Sequence, residues 1–289
     1  MKFGISLPPF GDYADIHHLA AMAKEAEDAG WDGFFLWDHV FFDPSFHPNV
    51  DPWVALAAIA LNTRQIRIGT LVTPLARRRP WNLARQTVAI DRLSGGRLTL
   101  GVGLGEPAQW DFGFFNEETD PKVRAKKLDE GLKILTGLWS GEPFHYEGEH
   151  YQVKAVKFSP TPMQSPRIPI WVGGVWPNKP PMRRAAQWDG FFPIHWQGGM
   201  TPETWKDTMA YIKEYRVTTT LFDLVNGGKV PDDQWKHAGA IVQPYAEVGV
   251  TWWIEDVSPW RFGHSWESQW SPEFTQQMDD LIRLGPPIP

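Results

Sequence analysis

The chain has 289 residues, of which 42% are hydrophobic, and it carries a formal net charge of -6 with no cysteine. A chain of this length can bury one large core, so we expect a single domain over residues 1–289. The lack of cysteine excludes disulfide bonds and thiolate chemistry, and the negative charge argues against a nucleic-acid partner.

Two further features of composition narrow the class. No segment has the apolar run that a membrane span requires, and Met1–Phe10 lacks the apolar core of a signal peptide, so we expect a cytoplasmic protein with no membrane partner. Tryptophan and phenylalanine are abundant, with 17 of each. They leave room for an aromatic-lined pocket that accepts a flat ligand, although such side chains more often build a core.

Short apolar runs alternate with amphipathic segments along the whole chain. The predicted strands are Lys2–Leu7, Gly33–Trp37, Ile66–Val72, Leu98–Val102, Ile168–Val172, Gly190–Ile194, Thr220–Val225 and Thr251–Glu255. The predicted helices are Asp15–Ala29, Pro52–Leu61, Pro80–Leu93, one opened by Asp120-Pro121, Pro181–Gln187, Pro202–Arg216, Asp232–Val248 and a last one ending near Leu284. Glu106–Thr119 is predicted to be an irregular loop.

The stretch from Ile66 to Glu106 shows how these elements assemble. Its two apolar runs flank a helix, and both runs are too apolar to face water on one side, so they belong in a parallel sheet covered by helices. Eight such repeats without a linker predict an α/β protein with one (β/α)8 barrel, the TIM barrel.

One segment breaks the pattern. Between the fourth and fifth predicted strands, 140–166 contains Phe144-His145-Tyr146 and Tyr151-Gln152-Val153, which alternate around a polar turn. This alternation predicts a β-hairpin insertion. We expect the insertion to lie at the barrel mouth.

The active site of such a barrel lies at the carboxyl ends of its strands. The polar or glycine residues predicted there are Asp38, His39, Thr70, Thr73, Glu106, Gly173, Gly174, His195, Asn226, Glu255 and Asp256. A histidine beside a carboxylate at this position is a candidate proton-transfer group, and His39 fits that description. The alternative is a histidine that only caps a loop.

Two glycine-rich stretches need separate interpretation. The run from Gly101 to Gly105 precedes Glu106, but no helix follows it directly, so it is not a dinucleotide-binding fingerprint. Gly173-Gly174 is predicted to end the fifth strand in a turn that cradles an anion, with Asn178 or Lys179 nearby; a plain tight turn is the alternative. The histidines are too scattered to predict a metal site.

Seven motifs spread over nearly the whole chain resemble the bacterial luciferase-like monooxygenase superfamily. They are FFLWDH at 34–39, GTLVTP at 69–74, RPWNLAR at 79–85, LSGGR at 93–97, LGVGLG at 100–105, PIWVGG at 169–174 and GVTWWIE at 249–255. The resemblance implies an oxidoreductase barrel that binds reduced FMN or the deazaflavin coenzyme F-420 in its mouth. It also implies a homodimer, and a separate reductase where reduced cofactor has to be supplied.

The resemblance assigns roles to particular positions. His39 matches the family's active-site histidine, and the family's non-prolyl cis peptide would fall at Leu71-Val72. Gly173-Gly174 would hold the cofactor phosphate. The full set of residues expected to bind the cofactor is Asp38, Thr70, Leu71, Val72, Gly103, Gly173, Gly174 and Asn178.

Two positions bear on which cofactor is used. The luciferases proper carry an arginine for the flavin phosphate where this chain has Leu104. Glu106 falls where the deazaflavin-dependent sugar-phosphate dehydrogenases of the superfamily have an acid for proton transfer. Together these positions favour coenzyme F-420 slightly over FMN.

The sequence therefore predicts a flavin- or deazaflavin-dependent oxidoreductase that reduces or oxygenates a small organic substrate, with His39 and Glu106 as catalytic residues. The tryptophans expected on the substrate side are Trp37, Trp176, Trp196 and Trp260. One alternative is a barrel hydrolase in which His39, Glu106 and Glu255 activate water. The other is a relative that binds flavin without turnover.

Overall fold

The computed structural model describes residues 1–42, 48–195, 198–264 and 271–287. Within them, eight parallel strands close into a barrel in the order β1-β2-β3-β4-β7-β8-β9-β10. The barrel strands are β1 Lys2–Leu7, β2 Gly33–Leu36, β3 Arg67–Pro74, β4 Leu98–Gly103, β7 Ile170–Val175, β8 Gly190–Ile194, β9 Asp223–Gly228 and β10 Trp252–Asp256. The predicted (β/α)8 barrel is confirmed.

Helices surround the barrel. They are α1 Ile16–Asp28, α2 Pro52–Asn62, α3 Pro80–Leu93, α4 Ala108–Asp111, α5 Pro121–Trp139, α6 Lys179–Ala185, α7 Pro202–Tyr215, α8 Ala238–Glu247 and α9 Pro272–Leu284. Of these, α1, α2, α5, α7 and α9 begin with a side-chain cap. Before α2, the Asp51 carboxylate accepts hydrogen bonds from the backbone N–H groups of Trp53 and Val54. Asp120 caps α5 in the same way. These carboxylates satisfy N–H groups that have no partner inside the helix.

The barrel interior is filled with aromatic and aliphatic side chains rather than open. The lumen cluster consists of Phe35, Leu71, Trp171, Val225, Trp252 and Ile254, with Val72 and Phe192 packed against it. Ring centroids of Phe35 and Trp252 both lie 5.3 Å from that of Trp171. The remaining core packs between strands and helices. The filled lumen offers no channel through the described part of the barrel, and the carboxyl ends of the strands are where a barrel of this kind binds its ligand.

The hairpin insertion is confirmed as β5 Phe144–Glu147 and β6 Gln152–Val156, which pair antiparallel. It lies outside the helix layer, and the turn between its strands reaches the mouth ends of α3 and α5, where Tyr151 packs on Trp81 and Glu149 pairs with Lys126. Glu130 of α5 accepts hydrogen bonds from the N–H groups of residues 149–151, and the Gln164 side chain donates to Asp91 of α3 at 2.7 Å. The insertion joins a helix to the next strand, so it begins at the opposite end of the barrel and covers α3 and α5.

The predicted ends of two strands are also wrong. β7 continues through Gly173 and Gly174, and β9 contains Asn226-Gly227-Gly228 and begins three residues later than predicted, at Asp223. The glycines are there for packing, because a Cβ at Gly174 would collide with Pro181 and one at Gly228 with Trp253. Glycine thus marks a close approach of neighbouring elements at these positions and not a turn.

Two helical segments also differ from the prediction. The loop predicted over Glu106–Thr119 contains the one-turn helix α4. The helix predicted from Asp232 begins as a 3-10 turn over Asp232–His237 and becomes α8 only at Ala238, because His237 leaves helical geometry with φ -120°. Across the described residues, no helix combines the length and apolarity needed to cross a membrane.

Candidate active site at the barrel mouth

His39 lies at the mouth just after β2, on the lumen side. Phe35 is in the lumen cluster, and two residues further on Trp37 donates its Nε1–H to Ser6 Oγ on β1 at 3.0 Å. His39 is the next residue on the same side of the chain, and its Nδ1 lies 2.6 Å from Asp111 Oδ2. The His39 side chain is 12% exposed, and its Nε2 has no hydrogen-bond partner in the described part of the chain. One ring nitrogen is therefore held and the other is available.

Asp111, at the end of α4, is the residue that sequence reasoning missed. Its side chain is fully buried, and its Oδ1 accepts a hydrogen bond from the Val40 backbone N–H at 2.8 Å. Arg77 approaches the same oxygen, with Nε 3.9 Å away. Asp111 is one of several acids in the 106–119 segment, and nothing in their spacing singles it out.

Asp38 faces the opposite way from His39, toward the helix layer. Its Oδ2 accepts hydrogen bonds from Thr73 at 2.8 Å and from Trp53 of α2 at 3.1 Å. Its Oδ1 lies 2.9 Å from Arg77 and 2.6 Å from Arg78. Burial would raise the pKa of this carboxyl, but the two guanidinium groups and the hydrogen bonds lower it to about 2. Both carboxylate oxygens are paired, so the Asp38 side chain anchors the two arginines.

The end of β3 carries the cis peptide that the resemblance implied. The Leu71-Val72 bond is cis, which confirms this expectation. Thr70 and Thr73 are fully buried on either side of it. The Thr73 hydroxyl, whose proton goes to Asp38, lies 3.0 Å from Thr70 Oγ1, and Thr70 Oγ1 lies 3.1 Å from the Gly101 carbonyl, to which it can donate. Both hydroxyls are thus engaged in fixing the backbone of β3.

Val72 fills the space above two glycines on neighbouring strands. A Cβ added to Gly103 on β4 would lie 2.6 Å from Val72 Cγ2, and one added to Gly173 on β7 would lie 2.8 Å from Val72 Cγ1. At this level the walls of β4 and β7 are bare backbone. β4 and β7 therefore contribute only backbone to this surface of the mouth, and the Val72 side chain covers it.

Replacing Gly173 by Ala should disturb this surface. The new methyl group would displace Val72, and we expect a loss of about 1–3 kcal/mol in the free energy of unfolding, the usual cost of overpacking. Gly227→Ala on β9 is the matched control, because its Cβ would lie 3.2 Å from the edge of the Phe192 ring and needs only a small adjustment. Urea unfolding of both variants measures the difference. Equal stability of the two variants would contradict the packing role of Gly173.

Glu106 lies on the loop after β4 and is held by a buried arginine. Its Oε1 is 3.1 Å from Arg124 Nη2, and its Oε2 accepts a hydrogen bond from the Ala108 N–H at 3.2 Å. Arg124 also donates to the carbonyls of Leu104 and Gly105 at 2.9 and 2.6 Å. The Glu106 side chain is 51% exposed. Glu106 thus combines a fixed backbone with a carboxylate that solvent or a ligand can reach.

Two of the four predicted substrate-side tryptophans gather around His39. The ring centroids of Trp37 and Trp260 are 5.9 Å apart, and that of Trp37 is 6.3 Å from His39. Phe42 packs on the other side of His39 at 4.7 Å. Trp176 instead lies at the β7–β8 edge, 4.9 Å from His195. Trp196 lies outside the described residues.

The predicted anion cradle does not have the expected geometry. Because Gly173 and Gly174 pair with Phe192 and Pro193 of β8, they form part of a strand and not a turn of successive N–H groups. Asn178 is exposed before α6 and makes no side-chain cap. Any phosphate at this edge would therefore have to be bound by the loop 176–179 after the strand.

The two acids at the end of β10 face different ways. Trp252 and Ile254 belong to the lumen cluster, so Asp256 faces the lumen and Glu255 faces the helix layer. Glu255 is fully buried and accepts hydrogen bonds from the Val230 N–H at 2.8 Å, from Trp253 and from Arg261. Asp256 accepts one from Ser258 at 2.9 Å, and burial raises its pKa to about 6.

Asp256 should make stability depend on pH. The folded protein keeps its proton up to about pH 6, whereas an unfolded chain releases it near pH 4. The free energy of unfolding should therefore fall between these values by up to about 1.4 kcal/mol per pH unit from this group. Asp256→Asn removes that contribution, so its stability relative to wild type should rise from pH 4 to 7. Urea unfolding at each pH, with exposed Asp233→Asn as control, tests this; a constant difference would refute it.

Comparisons with known proteins agree with this architecture. Residues 1–216 match the family model described as luciferase-like monooxygenase. An F-420-dependent glucose-6-phosphate dehydrogenase of Microbacterium testaceum is 35% identical over 156 residues, which is 53% of this chain and 45% of that protein. The matched region thus spans about half of the length of this curated relative.

Solved structures share the fold. An F-420-dependent secondary alcohol dehydrogenase, in complex with an F-420-acetone adduct, has a TM-score of 0.75 at 16% identity, with 100% of this chain and 99% of that one covered. The oxygenating constituent of a Pseudomonas putida 3,6-diketocamphane monooxygenase, in complex with FMN, has a TM-score of 0.67 at 18% identity, with 96% and 83% covered. With three quarters of its length matched by the family model, the chain belongs to the luciferase-like monooxygenase family.

Proposed function

We propose that this chain is an oxidoreductase that uses the deazaflavin coenzyme F-420 to exchange a hydride with a small organic substrate at an alcohol or carbonyl carbon. The proposal rests on two side chains after β2 and β4, His39 and Glu106, whose surroundings would suit proton transfer. His39 has one ring nitrogen held by Asp111 and the other without a partner among the described residues. Glu106 is held by Arg124 with half of its side chain exposed.

The residues at the mouth fit a planar, largely apolar ring. The flat backbone at Val72, Gly103 and Gly173 leaves no side chain except Val72 between the ring and β3, β4 and β7. These three residues would support the ring on one side, and the Leu71-Val72 peptide would contact it. Asn178 and Lys179 follow β7 and would lie near the phosphate, in place of the predicted glycine turn.

The coenzyme, when bound, supplies the hydride acceptor or donor. The chain's own residues would handle the proton. His39 Nε2 would accept the proton of a substrate hydroxyl, or return it to a carbonyl oxygen in the reverse direction. Glu106 would exchange a proton with the coenzyme or with water, because its carboxylate is exposed at the same rim. The aromatic side chains Phe42, Trp37 and Trp260 would limit access of water to His39.

Two observations favour the deazaflavin over FMN. Leu104 leaves the loop after β4 without the arginine that the luciferases proper use for the flavin phosphate, and the nearby Arg124 is committed to carbonyl groups and Glu106. The curated relatives of Microbacterium testaceum and Nakamurella multipartita carry names that specify F-420-dependent dehydrogenation. Oxygenation with FMN, which would need a separate reductase, is the alternative. The hydrolase alternative is weakened, because Glu255, one of the three residues that would activate water, faces the helix layer.

The test is a binding titration of the purified protein with coenzyme F-420 and with FMN, each oxidised and reduced, followed by fluorescence. We expect F-420 to bind at least about tenfold more tightly than FMN. Glu106→Gln, which keeps the shape of the side chain, should leave affinity nearly unchanged and slow turnover of an alcohol panel. Tighter binding of FMN would overturn the deazaflavin assignment, and binding of neither would overturn the function. Binding without any turnover would indicate the non-catalytic relative.

A further inference from the structure

We propose that Asp111 is a positioning residue that fixes the neutral His39 ring in the tautomer with the proton on Nδ1, so that Nε2 is left as the proton acceptor at the mouth. This deepens the proposed function, because it states which nitrogen acts. Only the catalytic role of Nε2 rests on the proposed function, because the tautomer of His39 is set by contacts within the chain.

The charge state of Asp111 follows from its surroundings. Its side chain is fully buried, yet Oδ1 accepts the Val40 N–H at 2.8 Å and faces Arg77 Nε at 3.9 Å. A backbone donor and a guanidinium on one oxygen favour the ionised carboxylate. An ionised carboxylate can only accept hydrogen bonds. The close contact of 2.6 Å between its Oδ2 and His39 Nδ1 therefore requires the hydrogen to be on Nδ1.

Arg77 connects this pair to the rest of the fold. Its Nη2 donates to the Asp38 carboxylate and carbonyl at 2.9 and 3.1 Å. Its buried Nε has no hydrogen-bond partner in the described part of the chain and points to Asp111 across the 3.9 Å gap. Arg77 is thus fixed at one end by Asp38 and supplies positive charge to Asp111 at the other. The guanidinium thus faces the buried Asp111 carboxylate with a complementary charge.

The contact with Asp111 decides which nitrogen of His39 can accept a proton. A neutral imidazole carries one proton, so holding it on Nδ1 leaves a lone pair on Nε2. When a substrate hydroxyl gives its proton to Nε2, the O–H bond breaks and an N–H bond forms. The ring becomes a cation next to the Asp111 carboxylate, which stabilises it. Without Asp111 the ring is free to adopt the other tautomer, in which Nε2 carries a proton and cannot accept one.

The experiment is 15N NMR of the histidine side chains in protein without added cofactor, at a pH well above the ordinary histidine range. The His39 signals are assigned by their loss in His39→Gln. In the wild type we expect the Nδ1 resonance in the protonated range and the Nε2 resonance in the unprotonated range. In Asp111→Asn, whose amide can donate to Nδ1, we expect the opposite tautomer to predominate.

Asp91→Asn is the matched control. Asp91 is equally buried and accepts hydrogen bonds from the Met163 N–H and the Gln164 amide at 2.7 Å, but it lies on α3 away from His39. This variant should lose stability without changing the His39 tautomer. Because no cofactor is present, failure of the proposed function would leave these spectra unaffected.

Two outcomes would overturn the proposal. One is a wild-type His39 with its proton on Nε2. This outcome is measured on the wild type alone and does not depend on the folding of a variant. The other is a folded Asp111→Asn protein with an unchanged tautomer. If a turnover assay is established, Asp111→Asn should lower kcat about 10²-fold or more with little change in KM, since a wrong tautomer removes the proton acceptor and not the binding surface. Asp111→Glu should recover part of the rate.

Discussion

Replacing His39 by Ala should slow turnover by about 10²-fold or more while leaving the affinity for the coenzyme within a few-fold of wild type. The reason is that different residues at the mouth would bind the ring and transfer the proton. In the proposed function the surface around Val72, Gly103 and Gly173 would support a planar ring, whereas His39 would contribute the nitrogen that accepts a proton. Truncating the imidazole removes the proton acceptor and leaves the ring-binding surface in place.

The measurement combines fluorescence titration for the dissociation constant with steady-state rates for kcat and KM, using the substrate of the alcohol panel on which the wild type is fastest under the proposed function. His145→Ala is the matched control, because His145 is exposed on β5 of the hairpin insertion, outside the helix layer. Circular dichroism checks the fold of both variants, since His39→Ala leaves the buried Asp111 without its partner. A His39→Ala enzyme with normal kcat would remove this residue from the mechanism.

The fold was predictable because its signals are local and repeated. Asp15, Asp51 and Asp120 each stand before an apolar-periodic segment, and each caps a helix. Apolar runs mark the parallel strands, and proline in the first turn marks the start of most helices, including α2, α3 and α5. The place of His39 followed from its position directly after a strand.

The features that could not be predicted depend on contacts between distant segments. Gly173 and Gly174 look like a turn in the sequence, and only the approach of Val72 and Pro181 shows that they belong to a strand. Asp111 is separated from His39 by 72 residues. Its role depends on how the loop after β4 returns across the mouth, and that path is set by tertiary packing. The hairpin position likewise depends on Glu130 and Asp91, which nothing in the hairpin's own sequence specifies.

The second large effect is expected at Asp38, whose change to Asn should lower the free energy of unfolding by about 3–5 kcal/mol. The Asp38 carboxylate is fully buried and compensates both Arg77 and Arg78. An amide of the same shape leaves two guanidinium groups in the interior without their counter-charge. Asp28→Asn is the control, because Asp28 pairs with Lys24 on the surface of α1 with 64% of its side chain exposed. That variant should lose no more than about 0.5 kcal/mol.

The pH dependence gives this prediction a second readout. Burial opposes ionisation of Asp38, but the two arginines and Thr73 hold its pKa at about 2, below the ordinary value near 4. The stabilisation is therefore complete above about pH 4 and is lost as the pH falls toward 2. Urea unfolding from pH 3 to 7 should show wild type converging on Asp38→Asn as the pH falls. If the gap between them is the same at pH 3 and pH 7, or is below about 1 kcal/mol at pH 7, Asp38 does not hold Arg77 and Arg78 as a charged group. The position of the Arg77 guanidinium beside Asp111 would then have to be fixed by a residue other than Asp38.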